Sequence, residues 1–196
     1  MLYNSLNLAV SKISNNSNIH PERAGVLFTP NKTVATDGFR LLEVSTPATG
    51  NSEDYLLVNG GIVLKDQESF IVNAKAIKAI KIPKNKTISA LNHVAIKSIS
   101  PNAIEFATND LTNKQIYSIP RIDGVFPDYE SIFPAGDPIA EVTLNGLYLA
   151  ELLEIMASSS SLSKVTMRLY GKDKPISLIS SNDKQKIRGL LMPIHD

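Results

Sequence analysis

One pattern recurs three times along the chain and constrains its fold more than any other feature: a short amphipathic helix followed by a run of strands. In "LYNSLNLAVSKI" the apolar residues Leu6, Ala9, Val10 and Ile13 fall at i, i+3, i+4 and i+7, one face of a helix. The strand-like runs "AGVLF", "KTVAT" and "RLLEVST" follow, with a sharp turn at Asp37-Gly38 between the last two. The second set opens with "SFIV" and passes into "NAKAIKAIKI", where Asn73 is expected to cap a helix whose buried stripe is Ala74, Ile77 and Ile80. Its strands are "HVAIKS", "NAIEFAT" and "KQIYSIPR". In the third, "AEVT" leads into "LNGLYLAELLEIM", with Leu149, Leu152, Leu153 and Met156 at helical spacing, and then "KVTMRLY", "PISLIS" and "KIRGLLM". "ATGNSED" and "ASSSSLS" read as polar loops, and "YLLVNGGIVLK" as an extra hairpin turning at Asn59-Gly60-Gly61. Three helices among about a dozen short strands predict an α+β fold with the helices on one face of antiparallel sheets.

The 196 residues, 43% of them hydrophobic, suffice for a substantial core in one or two domains. No apolar run approaches the ~20 residues that cross a bilayer, and "MLYNSLNLAVSK" lacks a basic start followed by an apolar stretch, so a cytoplasmic protein with no membrane partner is expected. The absence of Cys excludes disulfides and thiolate metal sites. With 20 Lys+Arg against 19 Asp+Glu the net charge is +1, which argues against coating nucleic acid by bulk charge but leaves room for a local basic face.

Such a face is present in the second set. Lys75, Lys78 and Lys81 recur every third residue and therefore fall within ~120° around a helix axis, with Lys84 and Lys86 extending the charge. A solvated lysine face and a contact with nucleic-acid phosphates are both compatible with this spacing. The third helix exposes Glu151 and Glu154 instead, which would repel DNA. No catalytic constellation accompanies these features. His20, His93 and His195 stand apart at no metal-ligand spacing, Asp37-Gly38 is a turn pair, and no glycine-rich phosphate loop or nucleophile elbow occurs. Neither an enzymatic activity nor a cofactor nor a metal is expected.

The ordered phrases "VLF…VATDGFRLLEV", "FIVNAKAIKAI", "SIPRIDGVFPDYESIFP" and "KPISLIS…KIRGLLMPI" resemble the sliding clamp that is the beta subunit of bacterial DNA polymerase III, from roughly residue 4 to residue 194. The resemblance implies a DNA-clamp fold, in which helix-plus-strand units form a ring with helices lining a central hole. Lys75, Lys78, Lys81, Lys84 and Lys86, joined by Lys12 on the first helix, would then face double-stranded DNA without reading its sequence. It also implies an apolar cleft that takes a short peptide from DNA polymerase and other clamp-binding proteins. The cleft positions carried over are Thr36, Gly38, Phe39, Arg40 and Leu41, then Pro127, Ser131 and Ile132, then Leu190, Met192 and Pro193. Proline in the linker fixes its backbone, so an apolar surface can exist before the peptide arrives. Phe126 and Tyr129 are expected to anchor that linker to the sheets.

The chain departs from the family pattern at several of these positions. Phe39 replaces a common His, Glu130 and Ser131 stand where two basic residues usually follow "FPDY", and the end reads "MPIHD" without the usual basic residue. Residues 1–134, with the linker at 121–134, resemble the family's second domain, and residues 138–196 resemble the second half of its third. A shortened member with three units per chain needs four copies for the twelve units of a ring, and its last unit would offer an unpaired sheet edge, so a homo-oligomer is expected. The reading is a replication processivity factor that encircles DNA and tethers polymerase. The alternative is a clamp-derived module that does not encircle DNA and recruits or competes for clamp-binding proteins.

Overall fold

The helices that begin at Ser5, Ala74 and Gly146 each follow an asparagine whose side chain replaces a missing helical hydrogen-bond partner. Asn4 Oδ1 accepts from the N–H groups of Leu6 (2.9 Å) and Asn7 (3.2 Å), Asn73 from Lys75 (2.9 Å) and Ala76 (3.4 Å), and Asn145 from Leu147 (3.0 Å) and Tyr148 (3.3 Å). A cap of this kind contributes about 1 kcal/mol. The computed structural model describes residues 2–14, 21–47, 58, 68–158, 163–181 and 185–194. The chain forms two units, Met1–Ile132 and Phe133–Asp196.

The first unit contains two copies of one plan. In the first copy β1 (Leu2–Tyr3) leads into α1 (Ser5–Ala9), which tightens into a 3-10 turn at Val10–Lys12. The meander β2 (Gly25–Phe28), β3 (Lys32–Thr36) and β4 (Leu41–Ser45) follows. In the second, β5 (Phe70–Asn73) leads into α2 (Ala74–Ile77) and then β6 (Val94–Ile99), β7 (Ala103–Asn109) and β8 (Lys114–Pro120). The leading strands are exchanged. β1 pairs antiparallel with β6 (Leu2 opposite Ala95, Tyr3 opposite Val94), and β5 with β2 (Ile71 opposite Leu27, Val72 opposite Val26). The sheets therefore run β4-β3-β2-β5 and β1-β6-β7-β8, joined by a bridge between Val72 and Arg121. Gly25 permits the close approach of β5, because a Cβ there would lie 2.4 Å from the Ile71 side chain.

Exchange of strands merges the two copies into one core. Phe28 packs edge-on against Tyr3 (4.9 Å between centroids) and Phe106 (5.4 Å) and stacks on Phe70 (5.5 Å), so four rings from both copies meet. Aromatic pairs in such geometries add about 0.5–1.5 kcal/mol beyond the area they bury. One polar side chain enters this core with its partners satisfied. Asn7 Nδ2 donates to Thr33 Oγ1 and to the carbonyls of Val44 and Ser45, all within 3.1–3.2 Å, and so pins α1 to β3 and β4.

The second unit holds a single copy: α3 (Gly146–Ser158) and the sheet β11-β10-β9, from β9 (Thr166–Arg168), β10 (Ile176–Ser181) and β11 (Lys186–Leu191). Met156, Ile176, Leu178 and Leu191 are buried, with Leu149, Leu152 and Leu153 half-buried on the expected stripe.

Three local expectations are corrected. Leu6 is 64% exposed, because the switch to a 3-10 turn rotates the buried face onto Leu8 and Val10. The second helix ends at Ile77: Ala79 N–H and Ile80 N–H bond three residues back, which tightens the turn and swings Ile80 into the core. "AEVT" forms no strand, since in the second unit no neighbouring strand pairs with it among the described residues. The "ATGNSED" loop, the 55–65 hairpin apart from buried Val58, most of "ASSSSLS", His20 and His195 lie outside the described residues.

Candidate functional site

The "TDGFR" turn joining β3 to β4 is closed by its own side chains. Asp37 Oδ1 accepts from the N–H groups of Phe39 (2.9 Å) and Arg40 (3.0 Å), and its Oδ2 accepts from Arg40 Nε (3.0 Å). The Phe39 N–H is the main cause that holds the Asp37 carboxyl below its ordinary range; desolvation opposes it, and the donors of Arg40 add to the lowering. Thr36 Oγ1 donates to the Arg40 carbonyl (2.9 Å) and accepts from Gly38 N–H (3.1 Å), while Gly38 takes the positive φ of 90° that the turn requires. This frame holds the Phe39 ring 97% exposed beside half-buried Leu41.

The linker is anchored as expected and by a further group. Tyr129 is buried, with Phe126 edge-on at 6.0 Å. Lys32 Nζ lies 5.1 Å from the Tyr129 ring centroid, bonds Glu43 at 2.9 Å and also bonds Glu130. The Glu130 carboxylate is the main cause that pushes the Lys32 ammonium up, Lys32 in turn draws Glu130 down, and burial raises Tyr129. Beyond the anchor, Ile132 N–H closes a 3-10 turn onto the Tyr129 carbonyl (3.1 Å), leaving Ile132 72% exposed, Ser131 exposed and Pro127 half-buried. The role of Lys32 escaped the sequence reading. Its available signals were the pairing of β3 with β4, which places Lys32 and Glu43 near one another, and the acidic residue after "FPDY".

In the second unit β11 alternates. Leu191 and Pro193 are buried, whereas Leu190 and Met192 are 68% and 60% exposed. The expected cleft residues are thus distributed as Thr36, Gly38, Phe39, Arg40, Leu41, Pro127, Ser131 and Ile132 on the first unit and Leu190, Met192 and Pro193 on the second.

The structure brings Lys12 and Lys78 to one shallow groove between α1 and α2, floored by Leu8, Ala9, Ile77 and Ile80. Lys75 lies in α2, Lys78 caps it, and Lys81, Lys84 and Lys86 follow beyond its end rather than on a continued helix. All six lysines are exposed, and among the described residues none of their ammonium groups has an ion-pair partner. The described residues hold no cluster of metal-ligating side chains. His93 is half-buried, its Nδ1 3.1 Å from the carbonyls of Ser89 and Ala90, a local contact at the end of a 3-10 turn.

Helix-and-meander repeats with exchanged leading strands are the DNA-clamp architecture. The chain has the fold of the bacterial DNA polymerase III beta subunit, the sliding clamp. It superposes on the beta chain from Streptococcus pneumoniae with a TM-score of 0.69 at 17% identity, covering 100% of this chain and 49% of that one. For the sliding clamp of Pseudomonas aeruginosa the values are 0.67, 19%, 98% and 50%, and for that of Bacillus subtilis 0.63, 16%, 98% and 48%. The chain thus spans about half the length of the solved clamps it matches. No family model matches the sequence, and no curated protein does.

Proposed function

We propose that the chain works as a non-enzymatic, sliding-clamp-like processivity factor: copies assemble around double-stranded DNA, and an apolar cleft tethers polymerase or other proteins through short peptides. The observation that carries this reading is the lysine group of the first unit. Six exposed ammonium groups without described ion-pair partners lie on or beside the two short helices, in a fold shared with sliding clamps. Lysines of this kind contact phosphates as mobile charges without sequence preference, which suits a protein that must move along the duplex. A near-neutral net charge of +1 is compatible with it, because a ring is retained by topology and needs only weak contacts.

Retention on circular DNA with loss on linearisation is the expected result, and equal retention on both forms overturns encirclement. The joint variant Lys75→Glu/Lys78→Glu is expected to weaken loading and reduce its salt dependence while leaving the fold intact. The exposed Phe39, Ile132, Leu190 and Met192 favour the second reading, a non-encircling module that captures clamp-binding peptides. Under either reading a polymerase-derived peptide is expected to bind, and Met192→Asp to weaken it at least tenfold. Equal binding by the variant removes the cleft.

A further inference from the structure

The single copy in the second unit is the second copy of the first unit moved along the chain by a constant step. Ile122 N–H donates to the Ile71 carbonyl (2.8 Å), and Ile194 N–H donates to the Thr143 carbonyl (2.9 Å); both partners lie 72 positions apart between the two copies. The capping residues Asn73 and Asn145 keep the same step of 72. So do the buried pairs Ile104 and Ile176, Phe106 and Leu178, Thr108 and Ser180, and Ile119 and Leu191.

What differs is the complement. In the first unit β6 is covered by β1 on its outer edge, and Val94, Ala95 and Ile96 are buried. Their equivalents in β9, Thr166, Met167 and Arg168, are all exposed, and among the described residues no strand pairs with that edge of β9. β5 pairs with β2, whereas its equivalent, Val142–Asn145, forms no strand. The helices differ in the same sense. Lys75, Lys78 and Lys81 become Leu147, Ala150 and Leu153, so these three positions lose their charge; the helix of the second unit exposes Leu147 and carries Glu151 and Glu154 instead of lysines. Lys78 borders the groove between α1 and α2, which makes Ala150 the position that would meet a neighbouring helix. A helix that exposes Leu147 and Tyr148 beside Glu151 and Glu154, next to an open strand edge, suits protein and not phosphate.

We infer that the second unit is completed by the second unit of another copy, the two exchanging their leading segments as the two copies within the first unit do. The register follows from the first unit. Tyr3 and Val72, each immediately before a capping asparagine, lie opposite Val94 and Val26, and Leu2 and Ile71 opposite Ala95 and Leu27. The same pairing places Leu144 opposite Thr166 of the second copy and Thr143 opposite its Met167. The interface is two-fold and closed, so it gives a dimer and not a filament.

The chain contains no cysteine, so disulfide trapping has no background. Full-length Leu144→Cys/Thr166→Cys, oxidised with copper phenanthroline, is expected to run as a covalent dimer without reductant and as a monomer with it, while either single variant stays monomeric. Equally efficient cross-linking of a single variant, or none in the double variant, overturns the register. Light scattering of the unmodified protein at micromolar concentration is expected to give a dimer or a multiple of it. Met167→Pro, at an exposed position of the open edge strand, is expected to raise the dimer Kd at least tenfold with unchanged circular dichroism. A monomeric parent protein, or a Met167→Pro variant that dimerises as well as the parent, sinks the proposal. The inference stands apart from encirclement, because a dimer that fails to stay on circular DNA would overturn the clamp reading alone.

Discussion

Residues 70–122 and 142–194 share a backbone plan, yet the first copy lies in a merged aromatic core and the second leaves a strand edge open and Leu147 exposed on its helix. The difference lies in what each is paired with and not in the copy itself. Both bury the alternate residues of their central strand, Ile104 and Phe106 in one, Ile176 and Leu178 in the other. Only the copy with a partner also buries the strand and leading segment at its flank. A repeat of this kind fixes its own meander and relies on a neighbour for the rest of its core.

The largest effects are expected where the two copies agree. Phe106→Ala is expected to destabilise the first unit by about 3–5 kcal/mol, and Leu178→Ala the second by about 2–5 kcal/mol, measured by denaturant unfolding. Both side chains are fully buried. A loss under ~1 kcal/mol at Leu178 would mean that the central strand of the second unit is not packed as its counterpart is. The comparison is sharpest one strand over. Ile96 is buried and its equivalent Arg168 is exposed, so Ile96→Ala is expected to cost about 2–5 kcal/mol and Arg168→Ala less than about 0.5 kcal/mol. Equal costs would erase the distinction between a covered and an open edge.

Much of the first unit was legible because its strands alternate and its turns use Asp-Gly, Asn and Pro. The three-fold repeat was legible at the level of elements, but its constant step was not. Apart from pairs such as Asn73 and Asn145, Ile104 and Ile176, Lys114 and Lys186, and Ile122 and Ile194, the two copies share few residue types, and only hydrogen bonds reveal the register. Periodicity extended the second helix through Lys81, since a stripe at every third residue continues equally well into 3-10 turns; the bonds from Ala79 and Ile80 end it sooner. "AEVT" looked like a strand by composition, and strand formation needs a neighbour that one copy does not contain. Of the candidate site, the turn and linker were readable from phrases. The Lys32 anchor was not, because it joins residues 98 positions apart.

Two smaller effects test whether local devices are equivalent. Asn73→Ala and Asn145→Ala are each expected to cost about 1 kcal/mol, since each side chain accepts from two otherwise unpaired N–H groups. A much larger loss at Asn145 would show that α3 depends on its cap more than α2, which is packed against a neighbouring copy.

The smallest expected effect belongs to the linker anchor, a device of the first unit without a counterpart among the described residues of the second. Glu130 is held below the ordinary carboxylate range by Lys32, so whatever stability it lends is fully present above its unfolded pKa of about 4.3 and is lost as pH falls through its lower folded value. Lys32 is pushed upward and stays charged across that window, so the acid side isolates the glutamate. The group is solvent-exposed, where ion pairs are screened, and Glu43 still holds Lys32 when Glu130 is removed. Glu130→Gln is therefore expected to lower Tm slightly at neutral pH, with the gap to the parent protein closing as the carboxylate is protonated. A gap that persists unchanged below that range would assign the effect to packing of the 130–132 turn and not to the charge on Glu130.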